Sequence, residues 1–317
     1  MSITAFALCS IALMKGQGQD TVATINGEAL TSQKYYRRME YLPGLGRKTS
    51  TGQFIEIMPA IATLDTLVTE TLILQIAKSK NLTPTETEVD QEVSYRLRNN
   101  PDYVKEWQSV GRTLPELRYM IKVERAQFKI QTEGIVVTES DVQRNYEGAK
   151  SSRYTIPARV KLRVIIVHDE ESKAKVDAGL KTGKAFEEMA SQFSTDPSKN
   201  VGGDFGVVPF DLLGPEVQAS VKPLKKGERT GWLGKDTIFA KFQVEALLAQ
   251  SVIPLDANIK EDLRREMMVI KGTGKIDMNK LIREARQNAT ISIASPEIDR
   301  AYKQFVDLEK KAKSGGQ

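Results

Sequence analysis

Apolar positions in the first half of the chain recur at helical spacing rather than by alternation. Ile57, Ile61, Leu64, Val68, Leu72 and Ile76 fall on one face of a predicted helix, and Leu67, Ile73 and Leu74 widen that face until it must be largely buried. Shorter helices with polar starts surround it. Thr31 caps one that runs to about Leu42, Thr85 ahead of Glu86 and Glu88 opens another to about Arg98, and Pro101 begins a short one. Thr113 with Glu116 three residues on forms a capping box for a helix reaching Thr132, and Thr138 with Asp141 starts the next. Ahead of them all, Val22-Ala23-Thr24-Ile25 reads as a strand closed by the Asn26-Gly27 turn.

After Pro157 the pattern changes. Val160 to Val167 is a β-branched run with the character of a buried strand. Phe186, Met189, Ala190 and Phe193 then mark one face of a short helix, broken by Ser194-Thr195-Asp196-Pro197. Gly202 and Gly203 supply backbone freedom for a turn, and Asp204-Phe205-Gly206 leads into Val207 and Val208. Ile238, Ala240, Phe242 and Val244 alternate as a closing strand does. Beyond it, Ile259, Leu263, Met267 and Ile270 return to helical spacing, Gly272 and Gly274 interrupt, and Ile276 to Gln287 resumes. These last helices lack a complete core of their own, so residues 250–317 are expected to pack back onto the N-terminal helices, with a frayed tail from Lys310.

The stretch 185–206 resembles the central signature of the parvulin family of peptidyl-prolyl isomerases. Phe186 and Ala190 match its F-x-x-x-A helix, Phe193-Ser194-Thr195-Asp196 its aromatic-S-x-D turn, and Gly202-Gly203-Asp204-Phe205-Gly206 its GGDLG hinge. The likeness extends to the strand at Val160–Val167 and to Pro215-Glu216-Val217 and Lys226-Gly227-Glu228, covering about residues 158 to 248. The opening, Val22 through Leu30-Thr31, resembles the V-A-x-V-N-G-x-x-I-T start of the SurA and PrsA group of exported foldases.

This resemblance implies an α+β fold: a parvulin-like antiparallel sheet with helices, inserted in a mostly helical SurA-like domain built from the two ends of the chain. It implies a signal peptide at 1–18, an N-terminal helical chaperone domain at 19–157, the isomerase domain at 158–249, and C-terminal helices at 250–317. Position by position, the family's acidic floor residue falls on Asp196 as the candidate catalytic group. The Met and Phe of its proline socket fall on Leu213 and Val217, with Val208 and Phe242 as further substrate-binding positions. The two family histidines fall on Val164 and on Ala240 or Phe242, so neither imidazole is present. Leu213 and Val217 also suit plain core packing. The chain's one histidine, His168, follows the first strand beside Asp169, Glu170 and Glu171, where a solvated strand end is the simpler reading.

Composition narrows the chemistry. With 46 Lys and Arg against 41 Asp and Glu, the net charge is +5, and the basic residues are interleaved with acidic ones rather than gathered with aromatics, so no nucleic acid is expected as a partner. Cys9 is the single cysteine and His168 the single histidine, which leaves no Ser-His-Asp arrangement to defend and no metal cluster to propose; no cofactor is expected. No Lys-Ser/Thr follows the paired glycines as a phosphate loop requires. Ile3 to Met14 is long enough for a signal h-region and too short to span a bilayer, and a buried N-terminal helix is the competing reading. The expectation is an exported isomerase and chaperone of the periplasm or cell envelope, acting on unfolded or extended proline-containing polypeptides. The alternative is a catalytically weak or inactive parvulin-like domain serving as a peptide-binding holdase.

Overall fold

The computed structural model describes residues 20–42, 46–48, 54–234 and 237–314. The expected signal segment, 1–18, lies outside the described residues together with Cys9. The chain divides into two compact units: unit 1 takes Met1–Val136 and Arg265–Gln317, and unit 2 takes Val137–Arg264.

Unit 1 opens with β1 (Thr21–Ile25) and β2 (Glu28–Thr31), joined by Asn26 and Gly27, both at positive φ. Thr31 caps α1 (Ser32–Met39) by accepting from the Lys34 amide. A short antiparallel ribbon of β3 (Gly46–Lys48) and β4 (Phe54–Glu56) leads to α2 (Pro59–Ser79). Three more helices follow: α3 (Glu86–Asn99), α4 (Tyr103–Ser109) and α5 (Leu114–Gln131). The capping box expected at Thr113 is formed, and Thr85, read as a helix start, makes one as well with Glu88.

Unit 2 begins with α6 (Glu139–Arg153), again opened by a capping box at Thr138, then β5 (Thr155–Ile156) and the long strand β6 (Arg159–Val167). α7 (Glu170–Lys181) and α8 (Phe186–Phe193) pack on one face of β6. A 3-10 turn over Pro197–Val201 precedes β7 (Asp204–Pro209), α9 (Pro215–Val221), β8 (Phe239–Leu248), β9 (Ser251–Val252) and α10 (Ala257–Thr273), which starts in unit 2 and ends in unit 1. The sheet has the order β7-β6-β8, antiparallel throughout, and β5 pairs with β9. Unit 2 is wider than the stretch carrying the motif, because Val142 and Tyr146 of α6 form a small core with Tyr154 and Leu263.

The chain then completes unit 1 with α11 (Met278–Asn288), β10 (Ile291–Ile293) and α12 (Pro296–Ser314). β10 adds to β1, giving the sheet order β10-β1-β2, and α11 and α12 both pack on α2. The centre of this unit is α2: Leu64, Leu67, Val68 and Leu72 are buried with Ala23, Ile25, Leu30, Tyr35 and Tyr302. By length and composition α2 could cross a membrane, yet most of it is enclosed within unit 1, which accounts for its apolar character.

Two sequence-based expectations need correction. Gly272 does not interrupt α10, which passes through it. A Cβ there would lie 2.3 Å from the Gln131 carbonyl oxygen, so the glycine serves close approach to the end of α5. The tail is helical to Ser314 rather than frayed from Lys310. The mixture of helices with antiparallel sheet is the expected α+β class.

Candidate functional site

Alternation along β6 divides its side chains between two surfaces. Ile165 and Val167 meet Val176, Phe186, Met189 and Ala190 of α7 and α8. Val160, Leu162 and Val164 face the other way, into a cluster with Val221, Phe242 and Val244, against which Leu213, Val217, Ile166 and Ala240 pack. Three of the five residues singled out from the sequence, Leu213, Val217 and Phe242, are thus brought together. Leu213 and Val217 are half-buried, and Phe242 is 7% exposed. Val208 stands opposite Val160 in the β6–β7 register and so shares this face, half-buried.

The register also fixes the two histidine positions. Phe242 is opposite Val164 and Ala240 is opposite Ile166, so both alternatives lie on the apolar face and neither carries a ring nitrogen. Phe205, a residue whose role the motif letters alone did not indicate, sets its ring edge-on to Phe242 at 6.2 Å between centroids while remaining 45% exposed. Leu212, beside Leu213, is 74% exposed. The face therefore offers an aliphatic and aromatic surface with accessible margins.

The loop bearing Asp196 is held by β6 itself. β7 pairs with β6 only from Arg159 to Arg163. Past that point the loop supplies the partners: the Val164 amide donates to the Gly203 carbonyl at 2.8 Å, the Ile166 amide to Ser194 Oγ at 3.1 Å, and the Thr195 amide to the Ile166 carbonyl at 2.8 Å. Gly203, at φ +78, comes so near that a Cβ would stand 2.5 Å from the Val164 oxygen and 2.9 Å from Ala190 Cβ. No other residue type fits there. Asp196 follows directly, half-buried, and its Oδ1 accepts from the Ser198 amide at 2.9 Å as cap of the 3-10 turn. The candidate acid is therefore anchored at the sheet edge by Ser194 and Thr195, with one carboxylate oxygen engaged in its own loop.

His168 is exposed at the strand end, as read from the sequence, but both ring nitrogens are engaged. Nδ1 lies 2.7 Å from the Thr237 carbonyl, which can only accept, so Nδ1 carries a hydrogen; Nε2 lies 3.1 Å from Thr195 Oγ1, whose hydroxyl donates to the Ile166 carbonyl at 3.1 Å. Asp169 beside it caps α7, and bonds from the Ser172 amide and hydroxyl hold its carboxyl below the ordinary range.

On the α8 side of the sheet sits a charged group that sequence reading missed. Arg163 reaches the Gly202 carbonyl at 2.8 Å, Glu187 at 3.0 Å, and Glu245, which also pairs with Lys161 at 2.7 Å. Lys161, aided by Arg163, holds the Glu245 carboxyl below its ordinary value. The signal was the alternation itself: Lys161 and Arg163 occupy inward-alternating places in an otherwise aliphatic run.

Two outcomes follow. Gly203→Ala should cost unit 2 about 3 kcal/mol through backbone strain and overpacking, whereas Gly206→Ala, at φ +86 but with open space around it, should cost about 1 kcal/mol; equal urea midpoints for the two variants would contradict the close-approach role. The lowered Glu245 carboxyl contributes stability above the unfolded carboxylate value of about 4.3, and that contribution is lost as pH falls through its lower folded value. Glu245→Gln should accordingly show a shallower loss of stability than the parent between pH 4.5 and pH 3 in denaturant titrations.

Comparison with known proteins supplies the relationship. Residues 1–100 match the SurA-like N-terminal domain, and residues 169–242 match the PPIC-type peptidyl-prolyl isomerase domain. The foldase protein PrsA of Caldanaerobacter subterraneus is 28% identical over 222 residues, 66% of this chain and 68% of that protein. The putative peptidyl-prolyl cis-trans isomerase YacD of Bacillus subtilis is 25% identical over 84% of each chain. Among solved structures, a SurA-like chaperone of Campylobacter jejuni aligns with 86% of this chain and 99% of its own at 22% identity, with a TM-score of 0.42. The chain thus carries a SurA-like N-terminal module and a PPIC-type rotamase module in one polypeptide, and it is similar to foldase proteins named PrsA.

Proposed function

We propose that unit 2 receives a proline-containing segment of an unfolded polypeptide on the Leu213–Val217–Phe242 face and eases rotation about its X-Pro bond, as part of a foldase serving exported proteins. The observation that supports this is the gathering of those three side chains into one apolar cluster with Val208 on the same face, while the loop that carries Asp196 is bonded to Val164 and Ile166 of the same strand. Rotation about the amide meets a barrier of about 18–20 kcal/mol, and a catalyst lowers it by favouring the twisted bond over either planar form. No covalent step is needed. The socket holds the pyrrolidine ring, Phe205 and Leu212 widen the apolar margin, and the second oxygen of Asp196 accepts from a peptide amide to hold the chain bent. Export rests on the apolar run at 3–14, and the names borne by the PrsA and YacD relatives agree with the activity.

A specific observation favours a second reading, that of a holdase with little or no turnover. Val164 and Ala240 or Phe242 stand where the family's imidazoles belong, and Asp196 Oδ1 is taken by Ser198. A protease-free NMR exchange assay on an X-Pro peptide separates the two. The proposal expects accelerated exchange, a drop of about tenfold in kcat/KM for Asp196→Ala, the worth of one hydrogen bond to a charged group, and a comparable drop for Val217→Thr. Suppression of client aggregation with no acceleration of exchange would leave the holdase reading standing alone.

A further inference from the structure

His168 is the one histidine of the chain and stands where β6 ends. From there it bridges two segments far apart in sequence. Nδ1 donates to the Thr237 carbonyl at 2.7 Å, and Nε2 stands 3.1 Å from Thr195 Oγ1. Both ring nitrogens face protein atoms, so a guest peptide finds neither of them open, and any part the ring takes in the reaction passes through these two partners.

Each partner leads into the proposed site. Thr195 bonds the Ile166 carbonyl twice, from its amide at 2.8 Å and from its hydroxyl at 3.1 Å, and Asp196 is the next residue. Since the Ser198 amide takes Oδ1 of Asp196, the direction of the second carboxylate oxygen follows from the backbone that Thr195 fixes. On the other side, Thr237 is just ahead of β8, where Ala240 and Leu233 exchange a pair of backbone bonds at 2.8 Å. Leu233 and Ala240 pack against the Phe242 cluster, as Leu213 and Val217 do. One imidazole therefore fastens the acid's loop to the lead-in of the strand that supplies Phe242. Such a tie matters here because His168, Thr195 and Thr237 are all exposed. An exposed threonine can rotate its hydroxyl to water, and a rigid ring anchored at its far nitrogen opposes that rotation. Groups that act on a reacting bond need placement to within about 0.5 Å, and loops meet that demand only with supporting contacts.

We infer that His168 is a positioning residue for X-Pro isomerisation: through Thr195 it orients the Asp196 carboxylate toward the bound peptide, and through Thr237 it holds the start of β8 beside it. This role rests on the reading of Asp196 and the Leu213–Val217–Phe242 face as the site of X-Pro rotation. Because the ring acts through its two partners and not on the proline socket, its loss lowers turnover and leaves peptide binding as it was.

The test measures X-Pro exchange by NMR on the full chain over a range of peptide concentrations. His168→Ala, shown folded by its urea midpoint, should lower kcat about fivefold with KM unchanged, and Thr195→Val, which keeps the amide bond to Ile166, should do the same. Adding His168→Ala to Asp196→Ala should lower the rate no further, because a residue that acts through the acid has nothing to orient once the acid is gone. A purely structural role would weaken both backgrounds equally. In nitrogen NMR spectra at about pH 8, where an ordinary imidazole is neutral, the single ring gives one set of signals and its hydrogen should sit on Nδ1. A ring protonated only at Nε2 contradicts the bridge. Parental kcat in both folded single variants, or an equal further loss in the Asp196→Ala background, overturns the role. If the parent does not accelerate exchange, or if Asp196→Ala matches it, the reading of the site fails and this role with it. A loss in Asp196→Ala beside parental rates in His168→Ala and Thr195→Val defeats this role alone.

Discussion

Unit 2 depends on how the second half of β6 finds its hydrogen-bond partners. β7 covers the strand only as far as Arg163, and a buried strand cannot leave amides without acceptors. The loop from Ser194 to Gly203 takes over, and it can lie close enough only because Gly203 has no Cβ to meet the Val164 oxygen. Arg163 fastens the same turn from the other side through the Gly202 carbonyl. Asp196 occupies its place at the sheet edge as a consequence of these bonds, since its neighbours on the N-terminal side are the residues bonded to Ile166.

A second consequence is the separation of charge from apolar surface. Lys161, Arg163, Glu187 and Glu245 form one network with α8, while Val160, Leu162 and Val164 face Leu213, Val217 and Phe242. The apolar side of the sheet is thus kept apart from the ion pairs that Lys161 and Arg163 make on the other side.

Much of the fold was legible because its signals are local. Helix starts at Thr85, Thr113 and Thr138, the apolar face of α2, the β-branched run of β6 and the alternation in β8 each specify an element from a few neighbouring residues. The paired glycines and the S-T-D turn were legible for the same reason. What escaped was set by partners far away in the chain. β10 has three residues, too few to show a period, and exists because β1 lies beside it. α7 is polar enough to read as a solvated stretch, its single buried residue being Val176. Gly272 looked like a helix break because its reason, the Gln131 carbonyl, lies 141 positions away in sequence by direct subtraction. In the site, convergence of Leu213, Val217 and Phe242 was foreseeable from the family pattern, whereas the Phe205 ring contact, the Arg163 clamp and the double engagement of His168 required the folded chain.

The account turns on whether the apolar side of the β7-β6-β8 sheet takes a proline ring. Intermolecular NOEs between an X-Pro peptide and the selectively labelled protein address this directly. The account predicts contacts from the proline ring protons to the Leu213 and Val217 methyls and to the Phe242 ring. Contacts confined to other residues, or none at a peptide concentration that saturates binding, would contradict it.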